Sequence, residues 1–209
     1  MQHLLILFFA TFSAAFMATV PPGLLNVNAA KTSVQKDRLN GVVFSLGVST
    51  MIMCQATIAV FISKFLDRNP AVVAVLLKVA IGVFALLALY FFAAALNNRP
   101  KKIKAVKISK RNSYFKGLLL ASLNLLTIPY YSGLNIMWNA SGWIKFQVWD
   151  IVVFVLAAGL GTFSVLYLYV FYFDKLEHKT HRFAKNANYI LGFLMLLLLL
   201  ITIFRVNHQ

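Results

Sequence analysis

Two prolines, a glycine and two asparagines stand together at the end of a long apolar run, in the stretch Val20–Ala30, VPPGLLNVNAA. Pro21, Pro22 and Gly23 are the residue types most able to interrupt a helix surrounded by hydrocarbon, because proline removes a backbone donor and clashes with the preceding turn. A similar constellation recurs later, where Asn124, Thr127, Pro129, Tyr130 and Asn135 fall inside another apolar run. An unwound turn exposes backbone carbonyls and amides, and the half-helix that follows begins with a partial positive charge suited to a carboxylate or phosphate. Asn26 and Asn28 accompany the first interruption, Asn124 and Asn135 the second. With Ser49, Thr50, Gln55, Thr127 and Tyr130 they form a set of amides and hydroxyls that can hydrogen-bond a neutral or zwitterionic solute without the cost of an ion in lipid.

Charged groups are scarce among these residues. Lys78 is the one formal charge well inside an apolar run; it can pair with a substrate carboxylate or reach the headgroups on its long stem, and both readings stay open. No Asp or Glu falls clearly within any apolar run, since Asp150 and Asp174 lie at the ends of one. A divalent-cation site built on carboxylates and a mid-membrane proton carrier therefore both lack their usual groups. Glu177, His178 and His181 lie close in sequence, but in a charged connection where a solvated face is the simpler account. There is no nucleophile–base set within the runs, so no enzyme is expected, and neither a metal nor any other cofactor is called for. Cys54 is the single cysteine, which excludes an intrachain disulfide and a cysteine metal cluster.

The elements that must position these residues follow from composition. Of 209 residues 61% are hydrophobic and 12% charged, against about 25% charged in soluble domains. An all-α integral membrane protein is expected, a single membrane domain over 1–209. The apolar runs Leu4–Val20, Gly41–Ile62, Ala71–Leu96, Phe115–Trp138, Ile151–Phe173 and Tyr189–Phe204 predict six transmembrane helices at about 20 residues each. Small residues from Ser13 to Ala18 would suit a signal-peptide cleavage site, but no Lys or Arg precedes the first run.

The net charge of +15 is placed between the runs, where it orients the chain rather than forming a nucleic-acid surface. Lys31, Lys36 and Arg38, then the basic stretch Arg99–Lys116, then Lys175, Lys179, Arg182 and Lys185 follow the first, third and fifth runs; the other side carries Lys64, Arg68, Lys145 and Arg205. The positive-inside rule puts the three basic connections in the cytoplasm and both termini outside. The basic stretch can also meet anionic lipid headgroups. It divides the chain into a first half, about 1–98, a connection, about 99–114, and a second half, about 115–209. Three spans per half make the halves inverted, with broken helices 1 and 4 as their corresponding interruptions. Ala10, Ala14 and Ala18, and Gly159 and Gly161, suit close helix packing. Trp138, Trp143 and Trp149 suit interfacial anchoring. The leucines from Leu196 to Leu200 suit either lipid or a homodimer contact.

The first constellation, read on as VPPGLLNVNAAKTSVQKDRLNGVVFSLGVST, resembles the opening signature of the LysE-type translocators, the LysE/RhtB amino-acid exporters, with Gly41 and Gly47 at its glycine positions. LLKVAIGVFALLALYFF is similar to the family's third span through Lys78 and Gly82, and YFKGLLLASLNLL to its fourth through Gly117 and Asn124. Two features depart from the pattern: Gly23–Leu24 follows a double proline where Gly-Pro is usual, and Asn124–Leu125 stands where Asn-Pro is usual. An acidic residue often found after the second glycine of span two is replaced by Val48–Ile52. The resemblance implies a multi-pass protein of the bacterial inner membrane that exports an amino acid or similar small polar or zwitterionic solute by alternating access. The departures leave a non-transporting scaffold as an alternative, with cation export a weaker one.

Overall fold

The computed structural model describes residues 2–21, 23–96 and 113–207. Among these residues the secondary structure is helical: α1 Gln2–Thr19, α2 Leu24–Gln35, α3 Arg38–Arg68, α4 Pro70–Leu96, α5 Ser113–Ser122, α6 Thr127–Ala140 and α7 Val148–Asn207. Four helices are long and apolar enough to cross a membrane: α1, α3, α4 and the Val148–Tyr172 part of α7. A fifth span results if α5 and α6, bent by 69° at their junction, are taken as one. The expected fifth and sixth spans both fall in α7, which is two helices meeting at a kink at Tyr172, where φ −119° and ψ 16° leave the helical region. The apolar end of that helix, Met195–Phe204, is a shorter run. The basic stretch Arg99–Arg111 lies outside the described residues.

The chain forms two compact units, Met1–Phe65 with Lys104–Leu176, and Leu66–Ile103 with Glu177–Gln209. In the second, α4 and the later part of α7 meet through Phe92 and Phe193, whose rings lie 5.8 Å apart edge to face, and a Cβ at Gly192 would lie 3.2 Å from the Phe92 ring.

The first unit holds both interruptions, and its helix directions can be read from its contacts. His3 meets Asp150, Gly161 lies against Phe12 and Phe16, and Tyr169 meets Val20, so α1 and the first part of α7 run parallel. Gly47 abuts Tyr114 and Leu118, Gln55 reaches Ala121, and Ser63 reaches Ser132, so α3 runs parallel to the α5–α6 pair. Both pairs approach closely because glycine removes a side chain from the contact. The buried stripe on α1 is Leu7, Thr11 and Ala15, one residue round from the alanines the spacing favours, and Ala18 is exposed. A Cβ at Gly161 would come within 2.9 Å of Ala15 Cβ, so the glycine lets that face of α1 pack close against α7. Trp138 is a second difference. It is buried at 8% exposure with its ring 4.9 Å from Trp143, while Trp149 points outward at 70%.

The turn between α6 and α7 is held by a carboxylate. Gly142, at φ 71°, takes the left-handed conformation that ends α6, a position where a Cβ is disfavoured. Phe146 is also left-handed, at φ 54°, and it is flanked by the N–H groups of Lys145 and Gln147. Both donate to Asp150 Oδ2, at 2.7 and 3.4 Å. His3 Nε2 lies 3.1 Å from the other carboxylate oxygen, and Asp150 is 1% exposed. Asp150 thus caps the start of α7, clamps a strained residue and ties down the start of α1. Asp150→Ala is expected to lower stability by about 2–4 kcal/mol, summing a lost cap and unpaired buried N–H groups; thermal unfolding in detergent measures it. Asp150→Asn, which keeps one acceptor oxygen, should lose less than half as much.

Candidate functional site

Each interruption leaves helix-end carbonyls that apolar surroundings cannot satisfy. At the first, between Thr19 and Leu24, three consecutive carbonyls are met by side chains. Asn26 Nδ2 donates to Thr19 O at 2.6 Å and to Pro21 O at 3.0 Å, and the Tyr169 hydroxyl donates to Val20 O at 2.9 Å. Gly23 is the N-cap of α2 in extended backbone (φ −121°, ψ −176°) that any residue can adopt, and a Cβ there would meet only Pro21 O at 3.9 Å. Pro21 is exposed and Pro22 lies outside the described residues.

The second interruption, Leu123–Leu126, precedes the proline that its position in sequence suggests as the cause. Pro129 is the third residue of α6, where a helix needs no donor, so it starts the new helix rather than breaking the old one. The N–H groups of Thr127, Ile128 and Tyr130 bond to Asn124 O, Leu125 O and Leu126 O at 3.2–3.3 Å. The first turn of α6 is therefore occupied by its own backbone and offers an anion few free donors. Gln55, arriving from α3, donates to Ala121 O and Asn124 O at 3.2 Å each. Asn124 contributes its carbonyl to this arrangement, while its side chain is exposed.

The two interrupted helices are in contact short of the first break. The Tyr130 hydroxyl donates to Ala14 O at 2.9 Å, linking the first turn of α6 to the last turns of α1. Thr127 is buried beside it, at 8% exposure. Ser49 is buried at 4% and Thr50 lies on another face of α3, where it accepts from the Tyr114 hydroxyl at 3.0 Å and donates to Leu46 O. Asn28 and Asn135 are 1% and 0% exposed; each Nδ2 donates to the carbonyl one turn back, Leu24 O at 2.8 Å and Tyr131 O at 2.9 Å. Lys78 is exposed on α4, in the second unit. The side chains of Glu177, His178 and His181 lie outside the described ones. No group of three His, Cys, Asp or Glu that could hold a metal occurs among the described residues.

The predicted residues of the first unit are not gathered at one point. Asn26 adjoins Tyr169 on α7, whereas Tyr131, one turn before Asn135, adjoins Phe154 with ring centroids 5.8 Å apart. At 1.5 Å per residue these positions on α7 differ by roughly 20 Å. The amides form a line through the first unit, with Gln55 and Tyr130 between its ends. Tyr169 and Asp150 escape prediction from sequence, because a tyrosine in an apolar run and an acid at a helix end each have common structural roles. Asp150 three residues into a helix was the readable signal.

Among family models, the one described as LysE type translocator matches residues 6–202 of the chain. No curated protein and no solved structure matches the chain.

Proposed function

The chain belongs to the LysE type translocator family, and from that premise we propose that it exports an amino acid or a similar small polar or zwitterionic solute across the bacterial inner membrane by alternating access. The observation that carries this reading is the pair of interrupted helices joined by the Tyr130 to Ala14 hydrogen bond. Interrupted helices at corresponding places in two halves are the structural means by which secondary transporters build a site that can open to either side.

The parallel pairing of α1 with the first part of α7, and of α3 with α5–α6, supports a six-span arrangement of two inverted halves. Exchanging the halves turns the first pair into the second. The line of amides supports a neutral or zwitterionic cargo over a bare divalent cation, which requires several hard oxygen ligands and gains most from carboxylates. The basic connections support a topology with both termini outside and anionic lipid headgroups at the cytoplasmic face.

Efflux from proteoliposomes loaded with a panel of amino acids and divalent cations tests this. Movement of at least one amino acid, with none of Mg²⁺, Mn²⁺ or Ca²⁺, is expected. Absence of any movement by correctly inserted protein favours a non-transporting scaffold, the reading suggested by Gly23–Leu24 and Asn124–Leu125.

A further inference from the structure

Thr19 O, Val20 O and Pro21 O at the first interruption, and Ala121 O and Asn124 O at the second, are already met by Asn26, Tyr169 and Gln55, which leaves cargo to other partners. Asn28 and Asn135 supply them in matching ways. Asn28 follows Pro22 at the same interval of six residues as Asn135 follows Pro129. Each lies in the half-helix after its interruption, and each spends its amide N–H on the carbonyl one turn back. A carbonyl accepts and cannot donate, so the atom facing it must be Nδ2 and the atom left over must be Oδ1. Both Oδ1 atoms are buried without a hydrogen-bond partner among the described residues. Gln55 repeats the pattern, with Nε2 engaged and Oε1 free. Among the described residues three pure acceptors thus stand unmet in the interior, against a single pure donor, Trp138 Nε1, and the hydroxyls of Thr11, Thr32 and Ser49, which can serve as either.

We infer that Asn28 Oδ1 and Asn135 Oδ1 are the atoms that accept hydrogen bonds from an ammonium group on the cargo. This rests on the transport reading above and narrows it to solutes that carry a primary amine. An unmet buried acceptor is relieved only by a donor, and an ammonium offers three with no carboxylate needed at the site. A neutral oxygen also releases the ion more readily than a carboxylate would, because no full charge has to be separated on leaving. Asn28 lies near the Tyr169 end of α7 and Asn135 near the Phe154 end, so one ammonium meets them in turn. One acceptor then belongs to each half and each side of the path.

The test is counterflow of a radiolabelled amino acid, L-leucine first among a panel, into proteoliposomes of the full chain, with two competitors per amino acid. One competitor is the matching amine without the carboxylate, 3-methylbutylamine for leucine; the other is the matching acid without the amine, 4-methylpentanoate. The amine should compete within about tenfold of the parent, and the acid should be weaker by at least ~100-fold, since a site with buried hydrogen-bonding groups rejects an analogue that leaves them unpaired. Asn28→Leu and Asn135→Leu should each shrink that ratio at least tenfold, while Asn28→Asp and Asn135→Asp, which keep an acceptor, should preserve it.

Equal competition by amine and acid in the wild type overturns the assignment while leaving the transport reading in place. The same follows if both Leu variants fold, by thermal unfolding in detergent, and still transport with the ratio unchanged, for then the asparagines serve packing alone. Counterflow that requires sodium and ignores the cargo's amine also overturns it, by making the oxygens metal ligands. Absence of counterflow for every panel member overturns the transport reading together with the assignment that depends on it.

Discussion

Replacing Asn26 by leucine is expected to abolish transport and to lower stability by about 2–4 kcal/mol, the cost of leaving two part-buried helix-end carbonyls without a donor. Asn26 is 3% exposed and its Nδ2 serves both Thr19 O and Pro21 O. Leucine fills nearly the same volume, so packing changes little and the loss is electrostatic. The matching change at the second interruption, Gln55→Leu, should cost less, about 1–2 kcal/mol. There each carbonyl keeps a backbone partner: Asn124 N donates to Ala121 O at 3.0 Å and Thr127 N to Asn124 O at 3.3 Å. Unfolding in detergent read beside efflux from proteoliposomes orders the two variants. If Gln55→Leu proves the more damaging, the side chains are not acting as caps in the way their distances imply.

Gly117→Ala is expected to prevent the first unit from assembling, with a penalty above about 3 kcal/mol, the upper part of the range for overpacking. The added methyl would run into Phe44 O, with Phe44 C and Val48 N at 3.1 Å behind it. These are backbone atoms of α3, which cannot turn away as a side chain can. Gly47→Ala makes the reciprocal collision with Tyr114 O, Tyr114 C at 2.9 Å and Leu118 N at 3.2 Å. The α3 to α5 contact is therefore fixed from both sides by the absence of a Cβ. Gly133→Ala provides the control, since no atom lies within 4 Å of its would-be Cβ. Its stability should stay the same or rise by up to about 1 kcal/mol through the better helix propensity of alanine. The amount of monodisperse protein extracted from membranes, and its melting temperature, separate these outcomes. A Gly117→Ala protein that melts like the wild type would mean that α3 and α5 are not in backbone contact.

Much of this was legible in the sequence. Apolar runs, the rarity of charge and the places of proline and asparagine determined an all-α membrane protein with interrupted helices, because hydrocarbon leaves a backbone few ways to satisfy itself. The absence of acids from the middle of the runs constrained the chemistry for a similar reason: folding cannot put a carboxylate at mid-span where the runs carry none.

Tertiary structure decided what each polar residue does. Pro129 lies after the second break because a proline's effect depends on whether it falls inside a helix or in its first turn, and neighbouring helices set that boundary. Asn26, Asn28, Gln55 and Asn135 are equivalent in sequence terms, each an amide in an apolar setting. Only the approach of particular carbonyls made caps of Asn26 and Gln55 and left the oxygens of Asn28 and Asn135 unmet. Asp150, an ordinary helix-end acid in the sequence, became a buried clamp when α1 brought His3 beside it. Hydrophobic pattern is a property of the chain and is set residue by residue. Hydrogen-bond partnership is a property of pairs, and across more than a turn of helix it exists only once the helices have met.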